Sequence, residues 1–157
     1  MIAMPDKLSR VLDDFRALAH EEERTDRLVD YARRYREVPP EIAARPFPES
    51  HRVPYCESEA FVWANEQPDH SVRLYFAVEN PSGVSAKALA AILAETTSGS
   101  RPEEIAAIPP DIVETVFRRN MSMGKGMGLM AMVQRVQALG RQIARKRDER
   151  TAAQSGV

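Results

Sequence analysis

Ser58-Glu59-Ala60-Phe61-Val62-Trp63-Ala64-Asn65, Glu66-Gln67-Pro68-Asp69-His70 and Ser71-Val72-Arg73-Leu74-Tyr75-Phe76-Ala77-Val78-Glu79 are the three consecutive stretches that decide the fold class. The first is an apolar and aromatic run, which predicts a strand partly buried on both faces. The second is polar and contains a proline, as a tight turn requires. The third alternates: Val72, Leu74, Phe76 and Val78 fall on one side, Arg73, Tyr75 and Glu79 on the other. Two strands joined by a short polar turn predict an antiparallel hairpin. Arg52–Tyr55 is expected to add an edge strand, where Pro54 is tolerable, giving a sheet of about three strands.

On the N-terminal side the period becomes helical. Residues 5–20 predict a helix with Pro5 in its first turn and Leu8, Val11, Leu12, Phe15 and Leu18 recurring at helical spacing. Residues 22–37 predict a second, carrying Leu28, Tyr31, Ala32 and Tyr35, stopped by Pro39-Pro40. The stretch Pro39–Pro54 is proline-rich and irregular, with a turn of helix expected at Glu41–Ala44. On the C-terminal side, Ser85 is a cap candidate for a helix through Leu89, Ile92 and Leu93, and Ser100 for a short one beginning at Pro102. Pro109-Pro110 opens another through Val113 and Phe117. The last helix is expected from about Gly128 to Lys146, with Leu129, Met132, Val133, Val136 and Ile143 on its buried face. Helices flanking a small antiparallel sheet make the class α+β. The expected organisation is one domain over residues 1–147 and a flexible polar tail over 148–157.

Composition narrows the function. The 157 residues suffice for a self-supporting core, with 43% hydrophobic and 29% charged side chains. The 22 basic and 23 acidic residues leave a net charge of -1, which supplies no field for nucleic acid or an anionic membrane. The first residues turn polar at once and show no apolar core of a signal peptide, so a cytoplasmic protein is expected. With a single cysteine the chain can form no internal disulfide and no Cys-rich metal or cluster site, and no cofactor is expected. The unpaired thiol suits a reducing compartment.

That cysteine is Cys56, at the junction of the proline-rich loop and the first strand. Read alone it is a small core hydrophobe, because free cysteine is commonly buried. Glu57 and Glu59 would disfavour a thiolate if they lie close to it and are otherwise ordinary solvated charges, and no basic residue lies within three positions. Such a thiol fits the receiver of sulfur from an activated donor better than a self-activated nucleophile. His20, His51 and His70 lack metal-ligand spacing. The run Gly124-Lys125-Gly126-Met127-Gly128 is not a phosphate loop, because Gly-x-x-x-x-Gly-Lys-Ser/Thr is absent. Five of the seven methionines fall within Met121–Met132. Met130 and Met132 are expected to fill core gaps, and Met121, Met123 and Met127 to line the turn into the last helix. An apolar pocket sheltering the thiol would draw on some of them.

Tyr55-Cys56-Glu57-Ser58-Glu59-Ala60-Phe61 resembles the active-site motif of the SufE family, roughly Gly-Cys-Gln-Ser-Gln-small/apolar-aromatic. Gly124-Lys125-Gly126-Met127-Gly128-Leu129 resembles the family's late Ser-Arg-x-x-Gly-Leu motif, and the order of elements after the cysteine is also similar. Cys56, Ser58, Gly128 and Leu129 match directly. Tyr55 stands for a glycine, Glu57 and Glu59 for glutamines, and Lys125 for an arginine whose bidentate fork it lacks. The resemblance implies an α+β fold of the SufE/IscU kind with the cysteine at a loop tip. It implies that Cys56 accepts persulfide sulfur from a SufS-type cysteine desulfurase, raises that enzyme's turnover, and delivers sulfur to a SufBCD-type scaffold for iron–sulfur cluster assembly. The protein is then an accessory and not an enzyme in isolation, a monomer or weak homodimer. Tyr55, Glu57, Ser58, Glu59, Lys125 and Gly128 become the residues expected to meet the partner. A thiol-based redox protein and a helical interaction protein with an incidental cysteine are the other readings. An IscU-type scaffold would need more cysteines than the chain has.

Overall fold

The structure, a computed structural model, describes residues 2–118 and 121–155. Two helices, α1 (Asp6–Ala17) and α2 (Glu21–Arg34), precede a long irregular segment. The strands β1 (Ala60–Glu66) and β2 (Val72–Val78) follow. Then come α3 (Val84–Thr97), α4 (Pro102–Ala106), α5 (Ile112–Phe117) and α6 (Met123–Gln154).

α1 buries Leu8, Leu12 and Phe15, one stripe at i, i+4 and i+7. α2 carries Glu21, Glu22 and Glu23 in its first turn and Arg33 and Arg34 in its last, matching its dipole at both ends. Its Arg24 is buried. The guanidinium donates to the carbonyls of Phe15 at 3.0 Å, Thr115 at 2.9 Å and Val116 at 2.7 Å, so one charge ties the ends of α1 and α5 together. α3 is apolar nearly all round because it runs through the middle, packed against α2, β2 and α1.

β1 and β2 pair antiparallel from Ala60↔Val78 to Glu66↔Val72. Both faces are covered, as the apolar run in β1 predicts. Val62, Leu74, Phe76 and Val78 join the main core under α3. Phe61, Trp63 and Ala77 join Val38 and Phe47 in a second cluster on the other face. There the Phe47 ring meets Phe61 and Trp63, each at 5.3 Å between centroids. The proline-rich segment is thus the cover of that face.

The sheet has two strands, not about three. Arg52 makes only an isolated bridge with Phe61, and the Val53 N–H donates to the Ala60 carbonyl at 2.8 Å. Pro54 has no N–H to continue, and Tyr55 turns to φ +62°, so pairing stops there. Neither expected serine cap holds. Gly83 precedes α3, and before α4 the Glu104 carboxylate accepts from the Arg101 N–H at 2.9 Å.

α6 is longer than expected at both ends. It begins at Met123, where the Ser122 hydroxyl accepts from the Lys125 N–H at 3.2 Å, so the glycine run is helix and not a turn. It continues past Lys146 to Gln154, and residues 148–154, expected as tail, are helical. Arg150 pairs with Glu66 at 2.7 Å and Arg147 with Glu103, contacts that a sequence window does not reveal. Residues 156–157 of the expected tail lie outside the described residues. No helix among the described residues is long and apolar enough to cross a membrane.

Candidate functional site

Cys56 sits in a tight loop that leaves the sheet at Val53 and re-enters it at Ala60. The loop closes on itself and on the ladder. Glu59 N–H donates to the Cys56 carbonyl at 3.1 Å, Asn80 N–H to Ser58 at 3.1 Å and Glu79 N–H to Glu59 at 3.1 Å. Tyr55 (φ +62°) and Glu59 (φ +51°) both hold left-handed backbone on either side of the thiol. That conformation costs a non-glycine residue roughly 1–2 kcal/mol, so the surrounding contacts must hold it.

Those contacts are close approaches at glycine. A Cβ placed on Gly128 of α6 would lie 2.8 Å from the Tyr55 carbonyl oxygen and 2.9 Å from Cys56 Cα. One on Gly83, before α3, would lie 2.8 Å from Ser58 Oγ. One on Gly124 would lie 3.1 Å from a Glu57 carboxylate oxygen. The loop is therefore wedged between the start of α3 and the first turns of α6. Between them opens a recess of about 210 Å³, lined by Cys56, Glu57 and Ser58, by Asn80, Ser82, Gly83, Ser85 and Ala86, and by Lys125, Gly128 and Leu129.

The structure brings together most of the residues the sequence singled out. Cys56, Glu57, Ser58, Lys125 and Gly128 share the recess. Tyr55 stands outside it, 74% exposed. Glu59 is exposed and does not line the recess, and its charge acts on Arg52. The wall from Asn80 to Ala86 escaped the sequence reading, which took Ser85 for a helix cap. Its signal was the Asn80-Pro81-Ser82-Gly83 turn, which follows β2 and so lies beside the start of β1. His51 is committed elsewhere, with its Nδ1 3.0 Å from the Val62 carbonyl and its ring stacked on Trp63. No group of metal-binding side chains exists among the described residues. No methionine lines the recess, and of the two expected to fill core gaps only Met132 is buried. Met130 is 40% exposed, because it falls on the outer side of α6.

Burial pushes the Cys56 thiol above its ordinary pKa, and the Glu57 charge pushes the same way. The backbone N–H groups of Ser58 and Ala60 hydrogen-bond the sulfur and pull in the opposite direction, without prevailing. At neutral pH the resting site therefore holds a protonated, half-buried thiol. Those donors would stabilise an anion once one forms there.

Fold and site together define an α+β domain with one half-buried thiol in a loop clamped between α3 and α6. The profile of the SufE family, described as the Fe-S metabolism associated domain, matches residues 9–140. The chain is also similar to the solution structure of a hypothetical protein from Thermus thermophilus. The two are 31% identical over 90% of this chain and 98% of that one, with a TM-score of 0.70. No curated protein matches. The chain belongs to the SufE family and has a place in iron–sulfur metabolism.

Proposed function

We propose that the protein is a sulfur acceptor: Cys56 takes sulfane sulfur from the persulfide of a SufS-type cysteine desulfurase and passes it to a SufBCD-type scaffold. The observation that carries this reading is the state of the thiol. It is unpaired and half-buried, and burial with the Glu57 charge keeps it protonated. A redox or peroxidase thiol needs its pKa depressed by cations, and burial and Glu57 act against that here.

In the transfer, the Cys56 thiol gives up its proton and the thiolate attacks the outer sulfur of the donor persulfide. A new S–S bond forms on Cys56, the donor's S–S bond breaks, and the donor leaves as a thiolate. The Ser58 and Ala60 N–H groups receive the charge that develops on Cys56. The recess shields the resulting persulfide from water and stray thiols. Removing the product sulfur raises desulfurase turnover, so the protein acts as an accessory to an enzyme.

The test is intact-mass analysis after incubating the reduced protein with cysteine and a cysteine desulfurase, with turnover recorded alongside. The native protein gains one sulfur and accelerates the enzyme, and Cys56→Ser does neither. Absence of sulfur on the native protein with several desulfurases would sink the reading and leave Cys56 as a packing residue.

A further inference from the structure

The outer edge of β2 is paired towards both ends and open in the middle. The hairpin bonds through its odd-numbered residues: at its two ends the Gln67 N–H donates to the Ser71 carbonyl at 2.7 Å and the Glu79 N–H to the Glu59 carbonyl at 3.1 Å. The N–H and C=O groups of Val72, Leu74, Phe76 and Val78 therefore point away from β1. The Val72 N–H donates to the Ser100 carbonyl, the Phe76 carbonyl accepts from the Val38 N–H, and the Val78 N–H donates to the Tyr35 hydroxyl, each at 2.8 Å. Leu74 lies between these contacts, and its N–H and C=O meet no partner among the described residues. Yet Leu74 is only 3% exposed. Buried backbone groups are almost always paired, so an open donor and acceptor at this depth form half of a strand contact. They sit in a groove of about 690 Å³ between α3 and the segment that follows α2.

The walls of the groove specify its occupant. From Val72 to Phe76 the edge runs about 13 Å, room for roughly three residues of extended chain. A residue paired with Leu74 turns its side chain to the same face as Leu74, under α3, where Ala90, Ala91 and Ala94 leave space for an apolar group. Its two neighbours turn to the opposite face, beside Arg73 and Tyr75. The cations of the groove are available. Arg73 is exposed and lies over the Tyr75 ring at 5.5 Å, Arg36 is exposed, and neither meets a carboxylate among the described residues. The acids are already engaged: Glu95 pairs with Arg34 at 3.4 Å, and Glu37 with Arg45. We propose that this edge is a docking site for an extended segment of another protein, an apolar residue flanked by two acidic ones, which adds itself to the sheet beside Leu74. No residue lines both this groove and the cysteine recess, so the segment binds while Cys56 stays free to react. The inference does not depend on the sulfur-acceptor reading.

Three peptides and one variant test it, read on the backbone amide spectrum of the isotope-labelled full chain. The first peptide is end-blocked Ser-Glu-Val-Glu-Ser. The second is the same peptide methylated on the valine nitrogen, which removes the N–H that would reach the Leu74 carbonyl. The third is Ser-Lys-Val-Lys-Ser, which reverses the charge. The first peptide should shift the Leu74 amide with a Kd in the millimolar range, as a short segment allows, and the other two should leave that amide in place. Arg36→Gln/Arg73→Gln, at two exposed positions, should keep the native denaturation midpoint and bind the first peptide about fivefold more weakly. A Leu74 amide unmoved by the first peptide, or moved alike by all three, overturns the strand-addition site. Equal affinity of the native and variant proteins overturns the acidic occupant. A Leu74 amide that moves with protein concentration alone, together with a dimer in sedimentation, assigns the edge to a second copy of the chain and overturns the proposal.

Discussion

Gly128 and Gly140 both lie on α6, and each lets that helix touch another piece of backbone. At Gly140 an added Cβ would lie 2.9 Å from both the Pro102 carbonyl oxygen and the Ala106 nitrogen of α4. At Gly128 it would lie 2.8 Å from the Tyr55 carbonyl oxygen. The surroundings differ. α4 is fastened by its buried Pro102 and Ile105, by the Arg147–Glu103 ion pair, and by the Gln137 amide donating to the Ile108 carbonyl just beyond it. The cysteine loop has left-handed backbone, an exposed Tyr55 and a recess beside it. One glycine seals the scaffold, and the other holds a thiol-bearing loop at the surface. The same close approach therefore packs a scaffold helix at one position and holds the thiol-bearing loop at the other.

Substitutions can break or sharpen that contrast. The largest effect on stability belongs to Gly140→Ala. Neither α4 nor α6 can retreat without uncovering Ile105, so the protein should lose about 2 kcal/mol, read as a lower denaturation midpoint, although alanine favours helix. Gly128→Ala should cost less, about 1 kcal/mol, because the surface loop can lift away. Its thiol should then react faster with a disulfide reagent. If Gly128→Ala proves the more destabilising and leaves thiol reactivity unchanged, the contrast is wrong.

Glu57→Gln restores a neutral side chain beside the thiol and acts on charge alone. With Glu57 gone, one of the two effects raising the Cys56 pKa disappears. The pH profile of thiol alkylation should move to lower pH, with a rate near pH 8 about twofold higher. The linked stability has a definite sign. The folded state holds the Cys56 proton more tightly than the unfolded chain does. That contribution is therefore full below the ordinary thiol pKa and is lost as pH rises through the raised one. The loss on alkaline titration should be smaller in Glu57→Gln, as measured by denaturation at matched pH values. The smallest effect is expected for Tyr55→Gly. Relief of the positive φ and the added freedom of the unfolded chain oppose each other, so stability should change by less than about 1 kcal/mol in a denaturant titration.

Much of the site was legible because it is local. Tyr55, Cys56, Glu57 and Ser58 are consecutive, and the motif around Gly128 and Leu129 is compact. The opposite wall, from Asn80 to Ala86, was not. Its polar residues read as an ordinary turn and cap until the hairpin pairing places Val78 opposite Ala60 and so sets that turn beside the cysteine loop. Nor could the sequence show that Glu59 lies outside the recess. It stands three positions from the thiol in sequence, whereas its left-handed backbone turns it out of the recess. The exposed methionines were read as core and turn because helical periodicity alone cannot say where α6 begins. Extending the helix to Met123 rotates Met123, Met127 and Met130 into one outward stripe.

By itself the sequence determined the alternation of helix and hairpin, the both-sided burial of β1, the lone thiol and its acidic neighbour. Each of these follows from periodicity or residue type within a few positions. Only the tertiary structure decided that the proline-rich segment roofs the second sheet face, that the sheet stops at two strands, and that α6 runs on to meet Glu66. It alone decided that close approaches at glycines clamp the cysteine loop. These features depend on which backbones approach one another across long stretches of chain, and such approaches are set by the packing of the whole core rather than by any local pattern.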